Sequence, residues 1–145
     1  MPPTDAEIRR ALGTARTIAI VGLSEKPERD SHRVGRYLQA QGYRIVPVNP
    51  NLTEVLGERA YPDLAAVPPG IRIDLVDIFR RSEEVPPVVD ATIHRGGVAT
   101  VWMQLGVRNA AAAQAGRDAG LVVFEDLCTM AQHRRLKLPP LARER

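Results

Sequence analysis

Residues 17–51 read TIAIVGLSEKPERDSHRVGRYLQAQGYRIVPVNPN, and this segment has the pattern of a complete βαβ unit. An apolar run at 18–21 ends at Gly22, a helical pattern opens near Ser31, and a second apolar run at 45–48 closes on NPN. A strand, a crossover helix and a parallel strand occupy about this length. The first N–H groups of such a helix are unpaired and its dipole is positive there. The segment therefore predicts a phosphate-bearing ligand at the first crossover.

The rest of the chain continues to alternate short apolar runs with helical patterns. The predicted strands lie at 17–21, 44–48, 73–79, 99–103 and 121–124. The predicted helices are one capped by Thr4 or Asp5, then 31–41, a short turn at 64–67, 82–95, 109–119 and 128–136. Nearly continuous apolar strands between helices indicate a parallel sheet that is buried on both faces. We predict an α/β fold: a Rossmann-like, doubly wound, five-stranded parallel sheet in the order 3-2-1-4-5, with helices on both faces.

Length and composition are those of one globular domain. The chain has 145 residues, a net charge of +3 and a single cysteine, Cys128. We expect one domain over residues 1–145, with its core at about 15–137 and a frayed C-terminal tail. The sequence shows no apolar membrane span and no signal core, and a lone cysteine suits a reducing compartment, so we expect a cytoplasmic protein. Many Pro and Arg residues with few Asn, Gln, Cys and Met suit a thermophile.

Charge and aromatic content speak against a nucleic-acid-binding domain. Basic residues are interleaved with acids along the chain, and aromatic residues make up only 4% of it. A nucleic-acid interface needs a basic face with stacking aromatic rings. We expect neither a nucleic acid nor a membrane as partner, and the sequence leaves a protein partner open.

Ligands of a doubly wound sheet bind at the carboxyl ends of the strands, so the residues that follow each predicted strand are the site candidates. They are Gly22, Leu23, Ser24, Lys26, Arg29, Ser31 and His32, then Asn49 and Pro50, Arg80 and Arg81, Gln104 and Leu105, and Asp126. The first loop carries Lys26 and Arg29 where a dinucleotide loop has its later glycines, so side chains as well as backbone can meet phosphate. The Ser31 hydroxyl can donate to the ligand, cap the helix, or do both.

The residue at the end of the second strand separates two kinds of nucleotide. An NAD enzyme holds the ribose 2′-hydroxyl with Asp or Glu at this point. This chain has Asn49, and no acid follows before Glu54. Because a neutral group tolerates a phosphorylated ribose, both NADP and coenzyme A, with its 3′-phosphate, fit this position.

Patterns typical of catalysis and metal binding are scarce. His32, His94 and His133 fall on three different predicted helices and share no metal-ligand spacing with Cys128. No set of nucleophile, base and orienting group can be assembled from the sequence. We therefore predict no metal site, and the residues favour a binding role over a catalytic one without deciding between them.

Four blocks of the sequence carry a family resemblance. They are GLSEKPERDSH at 22–32, PVNPN at 47–51, DIFRRSEEVPP at 77–87 and VWMQLGV at 101–107. In these blocks, and over about residues 15–137, the chain resembles the small stand-alone bacterial CoA-binding proteins. Those proteins share the CoA-binding fold of the N-terminal domain of the succinyl-CoA synthetase α-subunit.

The resemblance implies a Rossmann-like domain that holds coenzyme A or an acyl-CoA at the strand ends. It implies contacts in this order: phosphate at Gly22, Leu23 and Ser24 with Lys26 and Arg29 beside it, adenosine at Asn49 and Pro50 above a wall of Phe79 and Arg80, and pantetheine at Gln104 and Leu105. Two departures from the synthetase bear on activity. Its glycine-rich loop is reduced here to one glycine, and its phosphohistidine domain and nucleotide-grasping domain have no counterpart. We therefore expect a non-catalytic binding module without ligase activity.

The alternative reading is a small NADP-dependent oxidoreductase. It is disfavoured by the single glycine of the first loop and by the lack of a Tyr-Lys or other proton-transfer pair near the predicted crevice.

Overall fold

The computed structural model describes residues 2–142, and a five-stranded parallel sheet forms its centre. The strands of this sheet are β1 (Thr17–Val21), β2 (Arg44–Val48), β5 (Leu75–Ile78), β6 (Thr100–Met103) and β7 (Val122–Phe124). A two-stranded antiparallel hairpin, β3 (Glu54–Val55) and β4 (Glu58–Arg59), follows β2. The predicted parallel five-stranded sheet is thus confirmed.

In the described part of the chain, five α-helices connect and flank the strands. They are α1 (Asp5–Thr14), α2 (Asp30–Ala40), α3 (Val85–Arg95), α4 (Ala110–Asp118) and α5 (Thr129–Arg135), with short 3₁₀ turns at Leu64–Ala66 and Ser82–Glu84. Of the two predicted caps for α1, Thr4 is the one used: its hydroxyl accepts from the Glu7 N–H at 3.1 Å while Glu7 binds the Thr4 N–H. Within residues 2–142, no helix has the length and apolar character needed to cross a membrane.

Each face of the sheet packs against its own set of helices. Alternate residues of β1 point to opposite sides: Ala19 and Val21 join the core beneath α3 and α4, whereas Ile18 and Ile20 join the core beneath α1, α2 and α5. This alternation is what the period of two residues in a strand requires when both faces are buried. The prediction of helices on both faces is therefore confirmed.

The strand order corrects the predicted one. The sheet runs β2-β1-β5-β6-β7, which is 2-1-3-4-5 when its strands are numbered along the chain, instead of 3-2-1-4-5. The third strand lies beside the first because β2 is an edge. On the outer side of β2, the Tyr61 N–H donates to the Pro47 carbonyl at 3.0 Å, and Asn49 N donates to Tyr61 O at 2.8 Å.

Pro47 supplies the physical reason for this edge. A residue in a strand points its N–H and its C=O to the same side, and the Pro47 carbonyl faces outward, so the nitrogen without hydrogen faces outward too. Proline is tolerated in a sheet where its missing donor faces an edge. A third strand could not have formed a full ladder at that position. As a result, the order of the strands reverses at β1 and β5, and the loops that follow these two strands become neighbours.

The C-terminal tail also differs from its prediction. Leu138 and Leu141 pack against the core on the α1, α2 and α5 side, and the Leu141 N–H donates to the Gln41 carbonyl at 2.7 Å. The predicted fraying is therefore corrected for residues 137–142 because two leucines bury apolar surface there. Its remaining part, residues 143–145, lies outside the described residues.

Candidate functional site

A cavity of about 650 Å³ lies at the carboxyl ends of β1, β5 and β6. Most of the residues predicted for the site line it: Gly22, Ser24, Lys26, Arg29, Ser31, Phe79, Arg80, Arg81, Gln104 and Leu105. The lining also includes side chains that the sequence analysis did not select for this site, namely Asp30, Glu84 and Val107. The cavity therefore lies where ligands of doubly wound sheets bind, at the reversal of strand order.

Gly22 joins the first loop to the sheet. Its N–H donates to the Val48 carbonyl at 2.8 Å, and its φ angle is +89°. A Cβ atom at this position would stand 2.1 Å from the Phe79 carbonyl oxygen. Glycine is therefore required here by the close approach of the β1 and β5 ends, whether or not a ligand also approaches its backbone.

The two serines of the first loop hydrogen-bond to the loop itself. The Ser24 N–H donates to Ser31 Oγ at 2.9 Å, and the Lys26 N–H donates to Ser24 Oγ at 3.1 Å. His32 Nδ1 lies 2.9 Å from the Ser24 carbonyl, which can only accept, so Nδ1 carries the hydrogen. These bonds give the segment from Ser24 to His32 a defined shape.

Helix α2 begins without a side-chain cap. The residue before its first turn is Arg29, and no side chain in residues 2–142 accepts from the N–H groups of that turn as a cap. Ser31 lies inside the first turn and binds Ser24, so the capping alternative for Ser31 is not realised. The helix therefore opens beside the cavity with donors that remain available to an anion.

Positive charge gathers around this helix start. Lys26, Arg29 and Arg80 line the cavity, and none of them forms an ion pair with another residue in the range 2–142. Arg81 differs because it bonds to Glu84 at 3.0 Å, which raises the pKa of Arg81 and lowers that of Glu84. The unpaired cations and the uncapped helix together make this cavity a candidate site for an anionic group.

Five predicted site residues fall outside the cavity lining: Leu23, His32, Asn49, Pro50 and Asp126. Leu23 is fully buried in the core. The Asn49 amide ties two loops together, since its Nδ2 donates to the Leu23 carbonyl at 3.0 Å and its Oδ1 accepts from the Asn51 N–H at 2.9 Å. The neutral amide of Asn49, which was expected to lie beside a ribose, instead makes hydrogen bonds within the protein.

Gln104 directly follows β6 and belongs to a buried polar network that was not predicted. Its Oε1 accepts from the Thr129 N–H at 3.0 Å and lies 3.1 Å from Thr129 Oγ. Thr129 Oγ lies 3.1 Å from Oδ2 of Asp77, which is fully buried. Burial raises the pKa of Asp77 well above its usual range. An aspartate within an otherwise apolar strand was the signal that the sequence offered for it.

Leu105 projects from the loop that follows Gln104. It is 72% exposed at the edge of the cavity. Asp126 holds this loop, because its carboxylate accepts from the Gly106 N–H at 2.6 Å and from Arg108 at 2.6 Å. The Gly106 bond, followed by that of Arg108, lowers the pKa of Asp126. Asp126, a candidate from the end of the fifth predicted strand, thus supports the site from outside its lining.

Two other cavities lack this concentration of unpaired cations. One of about 680 Å³ lies at the opposite end of the sheet, between residues 64–73 and 91–97, where Arg95 donates to four backbone carbonyls. Another of about 940 Å³ runs along β7 and contains both acids and arginines. The cavity at β1, β5 and β6 is therefore the candidate site for a charged ligand.

Comparison with known proteins identifies the family of this chain. The model of the family described as "CoA binding domain" matches residues 16–134 of this chain. The chain belongs to this CoA-binding domain family. The resemblance noted in the four sequence blocks is thereby confirmed.

Relatives of this CoA-binding domain match it over nearly its whole length. It is 39% identical over 131 residues to the uncharacterized protein YneT of Bacillus subtilis, covering 90% of this chain and 95% of that protein. The structure of a hypothetical protein from Pyrococcus horikoshii is similar to this one with a TM-score of 0.89 and 37% sequence identity. The match covers 94% of this chain and 96% of that protein's chain. The protein called cell-free ID.343 from Thermus thermophilus has a TM-score of 0.86 at 35% identity, with coverage of 92% and 99%.

Proposed function

We propose that this CoA-binding domain binds coenzyme A or an acyl-CoA in the cavity at the carboxyl ends of β1, β5 and β6, and that it acts as a binding module. The observation that carries the proposal is the group of Lys26, Arg29 and Arg80 around the uncapped start of α2. Charge-assisted bonds from such groups are the usual means of holding phosphate. Family membership supplies the chemical class of the ligand.

The distribution of charge along the cavity supports a ligand with two different ends. The cations belong to the loops that follow β1 and β5, whereas the loop that follows β6 contributes the neutral Gln104 and the apolar Leu105. Coenzyme A has phosphates on its nucleotide end and an uncharged pantetheine arm. We place the phosphates at Lys26, Arg29 and Arg80, and the arm toward Gln104 and Leu105.

The lining favours binding over a reaction. Among the described residues that line the cavity there is neither a histidine nor a cysteine, the usual proton-transfer and thiol groups. The serines that line it are engaged in holding the loop. In this proposal the protein presents or sequesters the cofactor, and any chemistry on the thiol or thioester belongs to a partner.

Calorimetric titration tests the proposal directly. The purified protein would be titrated with coenzyme A, acetyl-CoA, NADP and NAD, each at two salt concentrations. We expect selective binding of coenzyme A or its thioester, and weaker binding at the higher salt concentration because the contacts to phosphate are screened. NADP binding without a signal for coenzyme A would contradict the proposal and favour the oxidoreductase alternative.

A further inference from the structure

A chain of buried polar side chains connects the interior of the sheet to the cavity. Asp77 and Thr129 are fully buried, and Gln104, which lines the cavity, is 4% exposed. Thr129 Oγ lies 3.1 Å from Asp77 Oδ2 and 3.1 Å from Gln104 Oε1. No other polar group within residues 2–142 binds the second carboxyl oxygen of Asp77.

The number of hydrogens available to the hydrogen bonds that link Asp77, Thr129 and Gln104 determines the protonation of Asp77. The Thr129 N–H already donates to Gln104 Oε1, which fixes that atom as the amide oxygen. The two contacts of Thr129 Oγ then need two hydrogens, and the hydroxyl provides only one. A carboxylate at Asp77 would leave one contact as two facing acceptors. A carboxylic acid gives every contact one hydrogen: Asp77 donates to Thr129, and Thr129 donates to Gln104.

Two further observations agree with the neutral acid. The unbonded Oδ1 of Asp77 is less costly as the carbonyl oxygen of an acid than as part of a buried carboxylate. Burial also raises the pKa of Asp77 well above its usual range; the Thr129 bond opposes this effect less strongly, and no basic side chain of the described residues does so.

The donor-to-acceptor direction of these hydrogen bonds determines which group Gln104 presents to the ligand. Because Oε1 is held by Thr129, and Nε2 is neither bonded nor fully buried within residues 2–142, we infer that Nε2 faces the cavity that Gln104 lines. Successive hydrogen bonds in one direction also polarise each other. The cavity therefore has an oriented amide donor on its uncharged side.

We propose that Asp77 is a positioning residue that is held as the neutral acid and acts through Thr129 to fix Gln104 Nε2 as a hydrogen-bond donor to a carbonyl oxygen on the uncharged arm of the ligand. This inference rests on the proposed function. A carbonyl is favoured over a phosphate because the cations follow β1 and β5, whereas Gln104 follows β6 beside Leu105.

The test compares coenzyme A with 3′-phosphoadenosine 5′-diphosphate, which carries all three phosphates of coenzyme A but no uncharged arm. Gln104→Met removes the Nε2 donor, together with the Oε1 that accepts from Thr129, at similar length, and Thr129→Val removes the hydroxyl but keeps the backbone N–H. We expect Gln104→Met to weaken coenzyme A binding about tenfold and Thr129→Val about threefold or more. Both variants should bind 3′-phosphoadenosine 5′-diphosphate within about twofold of the wild-type affinity. Gln114→Met, the same change at an exposed glutamine on α4, is the matched control.

Asp77→Asn and infrared spectroscopy test the protonation. The asparagine amide can donate to Thr129 in place of the acid, so this variant should bind coenzyme A within about twofold of the wild type. The wild type should show a buried carboxylic-acid C=O band at neutral pH that the variant lacks. Absence of that band, or a loss in Asp77→Asn as large as in Thr129→Val, would overturn the inference.

The remaining outcomes separate this inference from the proposed function. If Gln104→Met weakens both ligands equally, Gln104 serves a phosphate and the inference fails while coenzyme A binding stands. If the wild type binds neither ligand, the proposed function fails and the role of Gln104 fails with it. Thermal unfolding of each variant shows whether it is folded, and Gln104→Met, at the cavity surface, provides the binding test if Thr129→Val does not fold.

Discussion

At the scale of single residues, Lys26 and Arg29 are the side chains best placed to meet the charge of a ligand. Both line the cavity, and neither forms an ion pair within residues 2–142. We expect Lys26→Ala and Arg29→Ala each to weaken coenzyme A binding about tenfold, and to reduce its salt dependence. Titration calorimetry measures the affinities. Arg36→Ala, on the exposed side of α2 and away from the cavity, is the control variant. Unchanged affinity in the double variant would reject this assignment.

Asn49 provides a second test at this scale, and here the readout is stability. Asn49→Asp removes the donor to the Leu23 carbonyl and places a carboxylate oxygen against that carbonyl. We expect a loss of about 1–2 kcal/mol in the free energy of unfolding, measured by urea denaturation. Asn51→Asp, an exposed neighbour that contributes its backbone N–H, should change stability little. A variant of normal stability and reduced affinity would instead support the ligand contact that the family resemblance implies.

Asp77 should also give stability a dependence on pH. Its pKa is raised in the folded state from an ordinary value of 3.8, so the folded protein holds this proton more tightly than the unfolded chain. The associated stability is fully present below the unfolded pKa and is lost as pH rises toward the folded pKa. Asp77→Asn does not titrate, so it should gain stability relative to the wild type as pH rises above about 4. Urea unfolding of both proteins from pH 4 to 8 measures this, and a constant difference would contradict it.

At the scale of elements, the junction between β1 and β5 depends on Gly22. A side chain there meets the Phe79 carbonyl and also has to adopt a φ of +89°. We expect Gly22→Ala to lower the free energy of unfolding by more than about 2 kcal/mol. Gly57→Ala is the matched control because its φ is +75° but nothing lies within 4 Å, so only backbone strain of about 1 kcal/mol remains. Equal losses in chemical denaturation would show that the Phe79 contact is unimportant.

Local pattern was sufficient to predict the strands of the parallel sheet and the helices, but it predicted neither the β3–β4 hairpin nor the order in which the strands pair. The bounds of β1 and β2 were predicted to the residue because each is a short apolar run between clear breakers. The place of the third strand depended on which edge of the sheet was free. Pro47 indicates which edge is free only when it is known to which side of β2 its nitrogen points, and the sequence alone does not give that side.

The site shows the same division. Residues that follow the strands could be selected because parallel strands bring their carboxyl ends together. Asp77 and Thr129 could not be paired from sequence, since 52 positions separate them and only the packing of α5 on the sheet brings them into contact. The role of Asn49 was missed for a similar reason: its partner Leu23 belongs to a different loop.

At the scale of the whole molecule, ligand binding should appear as stability. A ligand that binds only the folded state raises the free energy of unfolding by about 2.7 kcal/mol at 100 times its dissociation constant. We expect coenzyme A to raise the unfolding midpoint of the wild type in proportion to the logarithm of its concentration. The Lys26→Ala, Arg29→Ala double variant should show a smaller rise at the same concentration. An equal rise in both proteins would indicate that coenzyme A binds elsewhere.

Pro47 has a consequence for how molecules meet at high concentration. An exposed strand edge normally offers a row of donors and acceptors onto which a strand from another chain can add. Along the outside of β2, Tyr61 already occupies the Pro47 carbonyl, and the proline nitrogen has no hydrogen to give. Pro47, which prevents a full ladder on the outer edge of β2, thereby also protects this edge of the sheet against aggregation.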